Sequence, residues 1–200
     1  MRHIGKPLNK TIKEQENNMQ PKDISGLEKT IGYSFRKKEN VITALTHSSY
    51  ANEHGGIKKH KCNERLEFLG DSVLQLISGE YLFRDFARRP EGELTKLRAF
   101  AVCEDALCVY AREVKLGEFL RLGKGEDATN GRERKSILAD AFEAVLAAVF
   151  LDGGLDEASK IVLRFIPRQD GLEKAKDYKT TLQEVIQRNR EEHIEYVLTD

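Results

Sequence analysis

The 200-residue sequence predicts an all-α domain over residues 23–168, followed by the opening elements of a second, α/β unit. Three observations carry that expectation. Apolar residues recur at helical spacing through most of the chain. No stretch up to residue 166 alternates like a strand over a useful length. Turn signals stand where helices should stop: Gly32, Pro90 with Gly92, the Gly153–Gly154 pair and Pro167.

The elements follow in order. Residues 1–22 lack the apolar core of a signal peptide and read as a disordered tail, in which Met19 is an alternative start. "ISGLEKTIGYSF" (24–35) reads as a short helix ended by Gly32, and "KENVITALTHSSY" (38–50) as a second helix. "ANEHGGIKKHKC" (51–62) is a polar, glycine-containing loop. "NERLEFLGDSVLQLISGEYLF" (63–83) is a long helix, and residues 88–120 hold two or more helices entered at Pro90 and Gly92. "GKGEDATNGRERKS" (123–136) reads as a charged loop. "ILADAFEAVLAAVFLDGG" (137–154) is a strongly apolar helix, and "DEASKIVLRFI" (156–166) another, closed by Pro167. Residues 169–176 form a charged linker. "KTTLQEVIQRNR" is an amphipathic helix and "IEYVLTD" (194–200) the start of a strand; together they are too short to bury a core of their own.

Hydrophobic residues make up 40% and charged residues 33% of the chain, which is the composition of a globular protein and not of a disordered one. Lys+Arg and Asp+Glu both number 33, so a nucleic-acid partner would need local positive charge on one face or loop. Three cysteines without a C-x-x-C motif fit free thiols in a reducing, cytoplasmic compartment. No apolar stretch is long enough to span a bilayer, so no membrane partner is expected.

The acids inside the apolar helices need a reason. At about 100° per residue, Leu66, Leu69, Val73, Leu76 and Ile77 share one face of the long helix. Glu64, Glu67 and Asp71 gather on the opposite face, within roughly 60° of each other, rimmed by Phe68 and Leu74. In the apolar helix the charges of residues 137–151 are Asp140 and Glu143, at i and i+3, with no Lys or Arg beside them. An uncompensated buried carboxylate costs on the order of several kcal/mol. Facing each other, Glu67, Asp71, Asp140 and Glu143 would form a four-carboxylate cluster, and oxygen-only donors suit Mg²⁺ or Mn²⁺. The bland alternative is that Asp140 and Glu143, near the start of their helix, complement its dipole. That alternative leaves Glu67 and Asp71 unexplained.

"NERLEFLGDSVL" (63–74) resembles the signature of bacterial ribonuclease III. "ALTHSSYANE" (44–53), "LGKGEDATNGRERKSILADAFEAVLAAVFLDGG" (122–154) and "DYKTTLQEVIQ" (177–187) resemble further segments of that family in family order. The resemblance implies a helical, homodimeric endonuclease domain that cleaves double-stranded RNA with Mg²⁺, for which Mn²⁺ is a possible substitute, and needs no small-molecule cofactor. It implies 5′-phosphate and 3′-hydroxyl ends, short 3′ overhangs, and a role in rRNA and mRNA processing. It places the metal ligands on Glu67, Asp71, Asp140 and Glu143, with Asp71 and Glu143 catalytic. Glu64 and Glu91 match accessory acids, and Phe68 matches an aromatic inserted into the other subunit. It makes residues 177–200 the first helix and first strand of a double-stranded-RNA-binding module that is cut short here. Arg98, Lys124, Arg132, Arg134 and Lys135 are candidates for RNA phosphates, against the plainer reading of a solvated charged loop.

Two other residue sets admit a functional and a plainer reading. His47 in "THSSY" suggests acid–base work beside a hydroxyl, but such a histidine more often caps or packs a helix end. His54, His60 and Cys62 fit no common zinc spacing and lack a fourth ligand. Competing functions are a relative that binds double-stranded RNA without cutting it, and a helical metallophosphohydrolase of nucleotides. The first expects a lost carboxylate, and the second expects His–Asp metal motifs; the sequence shows neither.

Overall fold

The computed structural model describes residues 23–54 and 62–166. The expected tail (1–22), His60 within residues 55–61, and the linker and partial RNA-binding module within 167–200 lie outside the described residues. The described residues form α1 Ser25–Ile31, α2 Lys38–Ala44, α3 Ser48–His54, α4 Glu64–Asp85, α5 Glu91–Ala101 and α6 Glu104–Glu113. A 3₁₀ turn at Leu116–Phe119, α7 Lys124–Ala128, a second 3₁₀ turn at Gly131–Glu133, α8 Lys135–Gly153 and α9 Leu155–Phe165 complete them. The all-α expectation holds here: the one β-type pairing among the described residues is an isolated bridge between Thr46 and Arg121.

The helix α8 is the axis of the domain. Its run from Ala144 to Val149 is buried throughout, and α4, α6, α9 and α2 pack around it. Burying each of its large apolar side chains contributes roughly 1.5–3 kcal/mol. Its alanines let the neighbouring helices come close. The closest approach is at Gly70 of α4: a Cβ there would stand 1.9 Å from the Glu143 carbonyl oxygen. Below this crossing, Phe142 packs in a ring cluster with Tyr110 and Phe165, at centroid distances of 5.9 and 5.7 Å.

Asp152 fastens the far end of α8. Its carboxylate accepts from the Tyr33 hydroxyl (2.7 Å) and from the backbone N–H groups of Arg36 (2.8 Å) and Lys37 (3.0 Å). These bonds hold its pKa low against burial, while burial and the Asp152 carboxylate push the Tyr33 hydroxyl up to about 12. The helix α1 ends as expected at Gly32, which is left-handed at φ +76°, with the N–H groups of Gly32 and Tyr33 on the Glu28 carbonyl.

Three sequence expectations need correction. The helix expected over 38–50 breaks at Leu45–His47 into α2 and α3. There the Leu45 carbonyl accepts from Arg121 N–H (2.8 Å) and His47 N–H donates to the Arg121 carbonyl (3.1 Å). Thr46 and Ser49 favour the break because their hydroxyls offer local alternatives to the helical ladder. In consequence Ala51–His54 belong to α3 and not to a loop. The loop expected over 123–136 contains α7 and a 3₁₀ turn, fastened by side chains of α3. The Ser49 Oγ accepts from Gly123 N–H (2.9 Å), and a Glu53 carboxylate oxygen accepts from Lys124 N–H (2.9 Å).

The third correction concerns the faces of α4. Leu66, Gly70, Val73, Leu74, Ile77, Ser78 and Leu82 are buried, so the acids border the buried side and do not oppose it. Leu76, expected in the core, is 56% exposed, and Phe68 is 78% exposed. With Phe83 (73%) they form an exposed apolar strip within roughly 80° of arc.

Candidate metal centre

The contact of Gly70 with the backbone of Glu143 fixes the register of the two acid-bearing helices. It brings Glu67, one turn before Gly70, onto Asp140 and Glu143. Ligand oxygens of these three carboxylates all lie within 4.8 Å of one another, and each side chain is half-buried. Asp71 stands outside this tight set. It is exposed, and its carboxylate accepts from the Gln75 amide at 3.3 Å. Its charge is nonetheless the largest of those that act on Glu143.

The electrostatics are those of an uncompensated anion site. Burial, followed by Asp71, Glu67 and Asp140, pushes Glu143 up to about 8. Burial, then Asp140, Glu64 and Asp71, raises Glu67. Burial, then Glu104, raises Asp140, while His47 opposes the shift. The one lysine of α8, Lys135, does not relieve the cluster, because its ammonium pairs with Asp105 at 2.6 Å. Oxygen donors that repel one another in a half-buried cradle suit a hard divalent cation, which would replace the mutual repulsion with attraction.

A pH dependence follows. Folded, Glu143 keeps its proton up to about pH 8; unfolded, it releases it near 4.5. Between those values the folded state binds more protons, so stability is full below the lower value and falls as pH rises through the upper one. Glu67 and Asp140 are shifted in the same direction. Discounted for partial exposure, the loss is about 1–2 kcal/mol. Thermal denaturation of metal-free protein from pH 5 to 8 should show Tm falling, and Mg²⁺ should reverse the fall at the alkaline end. A flat profile would contradict the coupling.

The remaining sequence candidates are scattered more widely. Glu64 is exposed at the start of α4, close enough to raise Glu67. Glu91 is exposed at the start of α5 and accepts from the Thr95 hydroxyl at 2.8 Å. Arg132 pairs with Asp127 (2.7 Å) and donates to the Gly117 and Leu120 carbonyls, which makes it a structural clamp. Arg134 pairs with Glu126, and Lys135 with Asp105. Lys124 is exposed at the start of α7, and Arg98 lies against Gly79 of α4. Cys62, Cys103 and Cys108 are free thiols. Sequence reasoning missed Glu104, whose charge raises Asp140 and whose position in the first turn of α6 reads as ordinary dipole complementation.

A family model described as Ribonuclease-III-like matches residues 37–169. The chain belongs to the ribonuclease III family. It is 52% identical over 178 residues to Ribonuclease 3 of Clostridium perfringens, a match covering 86% of this chain and 73% of that protein. It is 49% identical to Ribonuclease 3 of Oceanobacillus iheyensis over 87% of this chain and 77% of that one. Among solved structures, a nuclease domain of ribonuclease III from Campylobacter jejuni superposes with a TM-score of 0.66 at 44% identity, over 72% of this chain and 96% of that domain. That structure is described in terms of flexibility in a region involved in dimer formation. The all-α fold and the endoribonuclease activity expected from the sequence are those of this family. Among the described residues, no helix is long and apolar enough to cross a membrane.

Proposed function

We propose that this ribonuclease III-type enzyme cleaves double-stranded RNA by phosphodiester hydrolysis assisted by Mg²⁺, or Mn²⁺ in its place, held by Glu67, Asp71, Asp140 and Glu143. The observation that carries this reading is the convergence of Glu67, Asp140 and Glu143 from two helices locked at Gly70. When bound, the cation lowers the pKa of a water and neutralises charge that develops on the phosphate. The chain's own part is to orient. The α4–α8 contact fixes where the carboxylates point, and the ring cluster around Phe142 keeps that contact from shifting. Asp71 and Glu143 would be the catalytic carboxylates of that site. Glu64 and Glu91 act as accessory acids. The products carry 5′-phosphates, 3′-hydroxyls and short 3′ overhangs, and the RNAs are rRNA and mRNA precursors of the cytoplasm.

The active form is a homodimer, and its interface is the exposed strip of Phe68, Leu76 and Phe83. Phe68 contacts the partner copy beside its acidic site. Of the basic candidates, Lys124 and Arg98 are assigned to RNA phosphates. Arg132 and Arg134 hold the segment that carries Lys124, and Lys135 pairs with Asp105.

The reading is tested with a long, fully paired RNA, in Mg²⁺ and in EDTA, beside sedimentation of the same protein. Short duplexes with 5′-phosphates in Mg²⁺ alone, made by a dimer, are expected. A folded protein that binds the RNA and never cuts it would favour the binding-only alternative. A monomer that cuts would remove the dimer from the reading.

A further inference from the structure

The backbone from Arg121 to Lys124 is laid link by link along residues 45–53. Arg121 N–H donates to the Leu45 carbonyl at 2.8 Å, and the Arg121 carbonyl accepts from His47 N–H at 3.1 Å. The Arg121 guanidinium lies over the Tyr50 ring, 5.4 Å from its centroid. Gly123 N–H donates to Ser49 Oγ at 2.9 Å, and Lys124 N–H to Glu53 Oε2 at 2.9 Å. Gly123 is buried and closely fitted: a Cβ there would stand 2.9 Å from the Ser49 carbonyl oxygen. One residue past Lys124 the enclosure ends, for a Cβ at Gly125 would meet nothing within 4 Å. Among the described residues, the Glu53 bond is thus the last hydrogen bond from α3 to this segment, and it falls on the lysine itself.

Lys124 differs from the cations that follow it. Arg132 pairs with Asp127 at 2.7 Å, Arg134 with Glu126, and Lys135 with Asp105 at 2.6 Å. Among the described residues the Lys124 ammonium has no such partner, and the residue is exposed. A lysine turns freely about its four-carbon stem, so a scaffold places its charge through the backbone. The Glu53 bond acts at that point. As a stabilising contact it is weak, because Glu53 is exposed and water can replace either partner. Nor do the two amides form an anion site: Ser49 and Glu53 already occupy them, and a carboxylate there repels phosphate. A phosphate that approaches this segment meets the Lys124 side chain.

We propose that Glu53 is a positioning residue for RNA binding: its carboxylate holds Lys124 by the backbone N–H and so fixes the place from which the ammonium reaches a phosphate. The proposal rests on the assignment of Lys124 to RNA phosphates above. It requires the acceptor oxygen of Glu53 and not its charge.

The test measures binding of a short, fully paired RNA across a range of salt, in EDTA to withhold the metal. It compares the intact chain with Glu53→Ala, Glu53→Gln, Lys124→Ala and the double variant Glu53→Ala/Lys124→Ala, and Tm is recorded for each. A phosphate contact adds about one to the slope of log affinity against log salt. Lys124→Ala should lower that slope by about one. Glu53→Ala should lower it by most of the same amount, and should add nothing in the Lys124→Ala background. Glu53→Gln keeps an acceptor oxygen and should keep the parental slope. A contact that only stabilises the fold would lower Tm and leave the slope alone. If Lys124→Ala lowers the slope and Glu53→Ala does not, the Glu53 assignment alone is overturned. The same follows if the Glu53→Ala loss persists undiminished in the Lys124→Ala background, or if glutamine behaves as alanine does. A parental slope in Lys124→Ala takes the lysine out of the RNA interface and the proposal with it. An intact chain that retains no RNA at low salt overturns the RNA reading itself. Should Glu53→Ala fail to fold, Ser49→Ala loosens the adjacent hold on Gly123 and should lower the slope part-way; a parental slope there overturns the proposal.

Discussion

Replacing Glu143 with glutamine should lower the rate of RNA cleavage by at least about 10³-fold while leaving the fold intact. Glu143 is the most strongly shifted of the clustered acids, because it is half-buried and faces the charges of Asp71, Glu67 and Asp140 together. Glutamine keeps its size and removes the charge. In metal-free protein at neutral pH and above, the variant should be as stable as the parent or more so, because a carboxylate under repulsion has gone. With Mg²⁺ the order should reverse, because ligand binding stabilises the folded state only where the ligand binds. Single-turnover cleavage and thermal denaturation with and without Mg²⁺ measure both halves. A variant that cuts at a tenth of the parental rate would show that Glu143 is not at the reacting centre.

Gly70→Ala should be the most damaging exchange of a single small side chain in the domain. The added methyl would stand 1.9 Å from the Glu143 carbonyl oxygen and 2.4 Å from its carbon. Both are backbone atoms, so no rotamer change can relieve the overlap. The helices α4 and α8 must part, and forced expansion of a packed core costs about 1–3 kcal/mol or more. Tm should fall by roughly 5 °C or more. A shift of about an ångström between Glu67 and Glu143 should also cost about 100-fold in activity. Circular dichroism melts and Mg²⁺-dependent cleavage would show both effects. A parental Tm would mean that the two helices do not meet as closely as described.

The parts legible in the sequence were those with a short period. The long apolar runs of α4 and α8 were readable because most of their positions answer to one buried axis. The acids within them stood out against that background. What one sequence hides is pairing over distance. Nothing in "KENVITALTHSSY" announces that the backbone of Arg121 will dock at Thr46 and split the helix. Nothing in "GKGEDATNGRERKS" announces that Ser49 and Glu53 will cap a helix within it. The wheel grouped Glu64, Glu67 and Asp71 correctly but set the core on the wrong arc. Leu76 has the side chain of a core residue and is exposed, whereas Gly70, which has none, is the point of contact. Asp71 and Glu67 share a helical face, yet only Glu67 comes within ligand distance of both acids on α8.

The fastening of the segment after Arg121 sets what that segment can tolerate. Ser49 and Glu53 grip it by the backbone N–H groups of Gly123 and Lys124, a donor that every residue except proline supplies. The side chain at 124 contributes nothing to that grip. Charge can therefore be gained, lost or reversed there while the backbone path stays fixed. The shape of the scaffold and the chemistry it shows to a substrate are inherited separately at this point: the first is written in α3 and in Gly123, where a Cβ would stand 2.5 Å from a Glu53 carboxylate oxygen, and the second is left open to drift at position 124.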